Sequence, residues 1–166
     1  MAPDLLLFFP LAVLTNTAMP LPFEPVLFYY ASAYPAGWCW LFVLAGGAGA
    51  GVAGVVDLRL AHLARPLVPP RWIVWLPEWP GRWFYLWTLL VAATPIPFSV
   101  VRLAMLRSQP RALPYAVAVG LGRVPRLLLT LRFWQHLALP PWLNALAIAL
   151  GLALPLYGYL TERRTA

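Results

Sequence analysis

The chain has 166 residues, of which 62% are apolar and only 10% are charged, whereas soluble domains carry about 25% charged residues. This composition excludes an ordinary soluble domain and predicts a single integral membrane domain over residues 1–166. All twelve basic residues are arginines and the formal net charge is +7, which indicates membrane topology and contact with anionic lipids, and no nucleic-acid binding is expected.

The first predicted element is a pair of short apolar segments separated by a proline turn. Residues 5–18 are apolar, "PLP" follows with Pro20 and Pro22, and residues 23–34 are apolar again. Proline cannot continue a helix, and lipid cannot satisfy the backbone groups that it frees. We therefore predict a re-entrant hairpin whose tip, at residues 20–24, is buried in protein or lines a wet cavity.

A glycine-rich helix is predicted next, over residues 38–64. Its length suffices to cross a bilayer core of about 30 Å. Gly47, Gly51 and Gly54 recur on one helical face, so this face is predicted to pack closely against another helix. Residues 5–64 thus form the first half of the domain, a hairpin followed by a helix.

The second half of the domain, residues 83–135, is predicted to repeat this plan. An interfacial linker rich in proline, tryptophan and arginine precedes it over residues 65–82. The next apolar run spans only twelve residues before Pro95 and Pro97, which is about 18 Å of helix and reaches roughly the bilayer midplane. A second re-entrant hairpin is predicted there, followed by a spanning helix over residues 112–134.

The distribution of arginines predicts the orientation of these elements. Arginines cluster in the linker, after the second hairpin and at the C-terminus, and the positive-inside rule assigns these regions to the cytoplasm. The two hairpins then enter from opposite sides, as in the inverted repeats of many transporters. With a last helix over residues 141–161, the predicted fold is an all-α integral membrane protein with two opposed hairpins and about three transmembrane helices.

Four charged side chains at membrane depth are the candidate transport residues, because ionisable groups are costly there and indicate function. Glu24 is interpreted as a proton carrier, as a fixed partner of Arg102, or as an interface residue. Arg123 and Arg126 share a helical face and match a lipid phosphate. Snorkelling, or pairing with Glu24 or Asp57, would also explain these two arginines. Asp57 itself is expected to pair with an arginine.

Motifs of known enzyme classes are missing from the sequence. We find no nucleophile elbow, P-loop or metal signature, and the five acidic residues are scattered along the chain. The lone Cys39 and two separated histidines do not form a ligand set. We therefore predict that the protein is not an enzyme and that it uses no cofactor or metal.

Three stretches of the chain carry a family resemblance: "TAMPLPFEPVLFYYA", "AGGAGAGVAG" and "ATPIPFSVVRLAMLRSQPRALPYAVAVGLGRVPR". They resemble the DedA family, also called VTT-domain or SNARE-associated membrane proteins, in its short bacterial form. The resemblance implies two opposed re-entrant hairpins and lipid translocation, with Glu24 as the hairpin acid and Arg123 and Arg126 as the basic pair. Longer members carry an arginine directly beside the second proline turn and a further acid near the first hairpin, where this chain departs from the pattern.

The sequence therefore predicts a lipid translocator of the scramblase or flippase type, whose substrate is a phospholipid or a polyprenyl phosphate. Membrane lipids with anionic headgroups are the expected partners, and a homo-oligomer is a further possibility. The expected location is the bacterial cytoplasmic membrane, with the C-terminus in the cytoplasm. The alternatives are a structural or assembly partner that uses the glycine face for oligomer contacts, and a small-solute transporter.

Overall fold

The computed structural model describes residues 2–17, 24–69, 74, 76, 78–79, 81–94, 98–137, 146 and 149. Within this part of the chain the regular secondary structure is helical and contains no strand, so the predicted all-helical class is confirmed. The α-helices whose bounds are described are α1 (Ala2–Asn16), α2 (Glu24–Ser32), α3 (Cys39–Ala64), α4 (Arg82–Ala93), α5 (Ser99–Ser108) and α6 (Ala112–Leu137).

Two helices, α3 and α6, are long and apolar enough to cross a membrane. Their apolar stretches run over Cys39–Leu67 and Ala112–Phe133, which is the length expected for a bilayer span and points to membrane association. The α3 helix ends where Arg65–Leu67 tightens into a 3-10 turn, because Pro66 has no N–H to continue the α-helical hydrogen bonds.

Glycines hold the two long helices in close contact. A methyl group at Gly51 would lie 2.9 Å from the Ala116 carbonyl oxygen, and one at Gly120 would lie 3.0 Å from the Gly47 carbonyl oxygen. Only residues without a Cβ allow helix backbones to approach this closely. The face of Gly47, Gly51 and Gly54 is turned toward α6, and we call this contact the glycine seam.

Two further glycines bring a short helix onto each long helix. A methyl group at Gly49 of α3 would lie 2.8 Å from the Ala12 Cβ of α1. A methyl group at Gly122 of α6 would lie 2.5 Å from the Leu89 carbonyl oxygen of α4. The α1 helix therefore lies against α3, and α4 lies against α6, in the same kind of close backbone contact.

Apolar side chains pack into two clusters around these helices. One cluster joins α1, α2, α3 and α6, and in it Phe8 meets the rings of Tyr30 and Phe42 edge-on at centroid distances of 5.3 and 5.2 Å. The other joins α3, α4, α5 and α6 around Phe84 and Tyr115, whose ring centroids lie 5.9 Å apart. Such aromatic pairs contribute about 0.5–1.5 kcal/mol beyond the area they bury, and here they fix short helices against long ones.

The helix ends fall at the two proline breaks of the sequence. The α1 helix ends at Asn16 and α2 begins at Glu24, while α4 ends at Ala93 and α5 begins at Ser99. Outside the described residues lie most of the predicted helix at 141–161 and the four turn prolines, Pro20, Pro22, Pro95 and Pro97.

The C-terminal end of α5 is tied to described residues of the linker. Arg107 donates a hydrogen bond to the Val74 carbonyl oxygen and pairs with Glu78 at 2.7 Å. The backbone N–H of Trp79 donates to Ser108 Oγ at 3.2 Å. These contacts attach the linker to the second half of the domain.

Candidate functional site

A buried ion pair joins α3 to α5. Arg102 donates a hydrogen bond from Nε to Asp57 Oδ2 at 2.7 Å. The Asp57 side chain is only 3% exposed, whereas Arg102 is 27% exposed. A carboxylate buried to this degree is stable as an ion only beside a cation. Sequence analysis assigns an arginine partner to Asp57, and that partner is Arg102 from the second half of the domain.

The same arginine closes the end of α1. Its Nη2 donates to the carbonyl oxygens of Asn16 at 2.8 Å and Thr17 at 2.7 Å. The last carbonyls of a helix have no partner within the helix and carry a partial negative charge. A single guanidinium therefore neutralises the Asp57 carboxylate and satisfies the helix end at the first proline break.

A second ion pair joins α2 to α6. Arg126 donates from Nη2 to Glu24 Oε1 at 2.7 Å, and from Nη1 to the Thr94 carbonyl oxygen at 3.2 Å. Thr94 follows the last residue of α4, so this arginine also satisfies a helix end, at the second proline break. Both side chains are about one quarter exposed, Glu24 at 29% and Arg126 at 25%.

Each ion pair takes its acid from the first half of the domain and its arginine from the second. The sequence interpretation of Glu24 as a partner of Arg102 is therefore corrected, because Glu24 pairs with Arg126. Glu24 opens α2, and Gly122 draws α4 and its last carbonyls against α6 one turn before Arg126, so the guanidinium reaches both. Arg102 is left for Asp57, across the α3–α5 contact.

Arg123 stands between these pairs without an acid of its own. Its Nε is buried and has no hydrogen-bond partner within the described part of the chain. Its guanidinium lies over the Phe98 ring, 5.5 Å from the centroid, and Arg102 lies 5.7 Å from the centroid of the same ring. Cation–π contact with Phe98 therefore orients Arg123 while its Nε–H remains available to an acceptor.

Tyr115 adds a buried neutral donor to the site. Its side chain is fully buried, and its hydroxyl has no hydrogen-bond partner among the described residues. Its ring lies in the second apolar cluster beside Phe84 and Gly54. Buried polar groups are nearly always hydrogen-bonded in folded proteins, so this hydroxyl is available to an acceptor. The Asp57 carboxylate and the guanidinium groups of Arg102 and Arg123 lie within electrostatic range of it.

The charges of the site do not balance. Arg123 lies within electrostatic range of Glu24, Arg102, Arg126 and Tyr115. Two carboxylates are paired with two of the three guanidinium groups, which leaves one positive charge uncompensated among the described residues. The arrangement can therefore attract an anion without losing either ion pair.

An apolar groove opens beside the second ion pair. It has a volume of about 500 Å³ and is lined by Ala93, Arg126, Leu129, Thr130 and Phe133. The lining is mostly apolar, with the Arg126 side chain as its charged member. A groove of this character suits a hydrocarbon chain attached to an anionic group.

The four candidate transport residues of the sequence, Glu24, Arg102, Arg123 and Arg126, all belong to this one site. Sequence reasoning missed Tyr115, because an aromatic residue in an apolar run is ordinarily a core residue. It also missed Gly49 and Gly122, although the run "GLGR" before the basic pair was a signal for close packing. The described residues contain no group of three His, Cys, Asp or Glu side chains that could hold a metal ion.

Comparisons with protein-family models, curated proteins and solved structures give no match for this chain. The site is accordingly interpreted from its own geometry.

Proposed function

We propose that this protein spans the bacterial cytoplasmic membrane and moves a phosphate-bearing lipid between the two leaflets. The observation that carries the proposal is Arg123, whose buried Nε has no hydrogen-bond acceptor among the described residues. It lies within electrostatic range of two arginines that bind carbonyls at helix ends. Guanidinium groups bind phosphate oxygens through parallel hydrogen bonds. An uncompensated arginine at membrane depth is a functional site by default.

In this proposal, α1 with α2 and α4 with α5 are the two opposed re-entrant hairpins of an inverted repeat. Support comes from the parallel contacts of α1 with α3 through Gly49 and of α4 with α6 through Gly122. Further support comes from Arg102 and Arg126, which satisfy the carbonyls at the two broken ends. Non-helical backbone at membrane depth requires such protein partners, since lipid offers none.

The two ion pairs have different tasks in the proposed transport. The Asp57–Arg102 pair is buried and holds α3, α5 and the end of α1 together. The Glu24–Arg126 pair is partly exposed and borders the apolar groove. In the proposed transport, Arg123 binds the headgroup phosphate and both ion pairs stay intact, while the acyl chain occupies the groove that Arg126 lines.

The resemblance to the DedA family supports the same reading, including a C-terminus in the cytoplasm and action without a cofactor. It implies lipid translocation and assigns the hairpin acid and the basic pair to Glu24, Arg123 and Arg126. These residues meet in the site that we describe.

The experiment that tests the proposal is transbilayer lipid movement in proteoliposomes. A fluorescent phospholipid and a polyprenyl phosphate are followed in parallel for the wild type, Arg123→Ala and Glu24→Gln. Exposed Arg65 in the linker turn offers a matched control, Arg65→Ala. We expect Arg123→Ala to abolish movement, Glu24→Gln to reduce it, and the control to match the wild type.

Two outcomes would contradict the proposal. One is a folded wild type that moves neither lipid, which would favour an assembly partner or a small-solute transporter. The other is an Arg123→Ala variant that moves lipid at the wild-type rate at equal protein level.

A further inference from the structure

We propose that Phe98 is a positioning residue of the site, and that the electrons of its ring, rather than its bulk, hold the guanidinium groups of Arg102 and Arg123 together. This inference rests on the proposed function, because it gives Phe98 the task of keeping Arg123 in place for transport. It depends on the shared ring contact, on the way in which the ring is fixed and on the charges of the two arginines.

The ring of Phe98 lies close to both cations. Its centroid is 5.5 Å from Cζ of Arg123 and 5.7 Å from Cζ of Arg102. Both distances are within the roughly 6 Å over which the face of an aromatic ring attracts a cation. Arg102 belongs to α5 and Arg123 to α6, so this side chain joins the charged residues of two helices.

The backbone and the ring of Phe98 are both fixed. Its carbonyl oxygen accepts hydrogen bonds from the N–H groups of Val101 and Arg102, each at 3.1 Å, at the start of α5. The side chain is 9% exposed and belongs to the second apolar cluster. Residues four apart on a helix are neighbours, which places the ring beside Arg102, while α6 brings Arg123 to it. The ring is therefore a rigid support for both arginines.

The charges explain why the electrons of the ring matter. Arg102 and Arg123 carry like charges within electrostatic range of each other. Arg102 is paired with Asp57 at 2.7 Å, whereas the buried Nε of Arg123 has no hydrogen-bond acceptor among the described residues. The negative face of an aromatic ring attracts a guanidinium without accepting its N–H. An aliphatic side chain of similar size would fill the same space but would not offset the repulsion.

This support bears directly on the proposed transport. An arginine side chain loses much rotamer freedom when its guanidinium is held by a ligand. A ring that already holds the guanidinium of Arg123 removes part of that loss before a headgroup arrives, as preorganisation does in other binding sites. Weakening the ring contact should therefore slow lipid movement even when the fold is kept.

The experiment changes the electron density of the ring and almost nothing else. Phe98 is replaced in the full chain by phenylalanines that carry one, two or three fluorine atoms on the ring, which withdraw electrons from its face. The midpoint of thermal unfolding is measured in detergent micelles, and the movement of a fluorescent phospholipid is measured in proteoliposomes. We expect both to fall stepwise with the number of fluorine atoms, and lipid movement to fall about tenfold with three.

Two controls identify the cause of such a decline. Phe42 is fully buried and its ring meets those of Phe8, Tyr30 and Tyr34, so the same fluorinated residues there are expected to leave lipid movement unchanged. In Arg123→Gln one of the two cations on the Phe98 ring is removed. The midpoint should then fall about half as steeply with each fluorine atom at Phe98.

The inference is overturned if lipid movement does not depend on the number of fluorine atoms at Phe98, or if the midpoint falls equally steeply in the wild type and in Arg123→Gln. Its failure is distinguishable from failure of the proposed function. A folded wild type that moves no lipid contradicts the transport proposal, while the two midpoint series still decide whether the ring holds Arg123. A wild type that moves lipid at a rate independent of fluorination contradicts only the inference.

Discussion

The Asp57–Arg102 and Glu24–Arg126 pairs are built alike, yet their acids are exposed to different degrees. In each, an acid from the first half meets an arginine from the second at 2.7 Å, and the arginine also binds carbonyls at a broken helix end. Asp57 is 3% exposed, whereas Glu24 is 29% exposed. The same kind of ion pair is therefore buried and fixed at Asp57 and partly exposed at Glu24.

The largest expected effect comes from removing the charge of the buried acid. Asp57→Asn leaves Arg102 without a counter-charge and should lower the free energy of unfolding by about 3 kcal/mol. Glu24→Gln removes the matched charge from the exposed pair and should cost about 1 kcal/mol or less. Unfolding titrations in detergent micelles measure both values, and equal losses would show that burial does not separate the two pairs.

The glycine seam lies between the helices that carry the two pairs, so loosening it should disturb both. Gly51→Ala places a methyl group 2.9 Å from the Ala116 carbonyl oxygen, and such overpacking costs about 1–3 kcal/mol. Gly37→Ala is the matched control, because nothing lies within 4 Å of its added methyl group. An unfolding midpoint of Gly51→Ala equal to that of the control would contradict the close contact of α3 with α6.

Replacing arginine by lysine tests how many acceptors each guanidinium serves. Arg102 bonds three acceptors and Arg126 bonds two, and lysine keeps the charge but not the planar fork. We expect Arg102→Lys to lower the free energy of unfolding by about 1–2 kcal/mol and Arg126→Lys to lower it by about 1 kcal/mol. These values correspond to the loss of about one or two net hydrogen bonds at Arg102 and about one at Arg126. The free energies of unfolding of the two variants give the comparison directly.

Salt should produce the smallest effect and act on one pair only. Raising the ionic strength screens exposed charges and leaves buried pairs largely unscreened. The stability difference between the wild type and Glu24→Gln, at most about 1 kcal/mol, should shrink with added sodium chloride. The stability difference between the wild type and Asp57→Asn should persist. If both differences decline equally with salt, the two pairs are equally accessible to ions.

Some of these features were predictable from the sequence because they follow from local chemistry. Two prolines one residue apart interrupt a helix, so the ends of α1 and α4 were expected near the observed residues, Asn16 and Ala93. The single prolines Pro10 and Pro125 lie inside α1 and α6. The glycine face of α3 was expected because only glycine and alanine permit close helix contact. Arg123 and Arg126 stood out because charge is rare in an apolar run.

The sequence left the pairing of charges open, since it offered both Arg102 and Arg126 as partners of Glu24. Asp57 and Arg102 are 45 positions apart, and Glu24 and Arg126 are 102 apart, so their partners depend on how α3 packs against α6. Tyr115 was equally hidden, since it stands out only through a hydroxyl that has no hydrogen-bond partner among the described residues. Its ring alone is ordinary core material.

In the proposed membrane arrangement, the division of charges between the halves also bears on the order in which the charged residues are made. Synthesis runs from the N-terminus, so Glu24 and Asp57 are made before Arg102 and Arg126. A carboxyl group can take up a proton and wait in lipid uncharged, whereas arginine stays charged in proteins. Because the acids are made first, the residues that are temporarily unpaired are the ones that can be neutral, and an unpaired arginine never has to be buried.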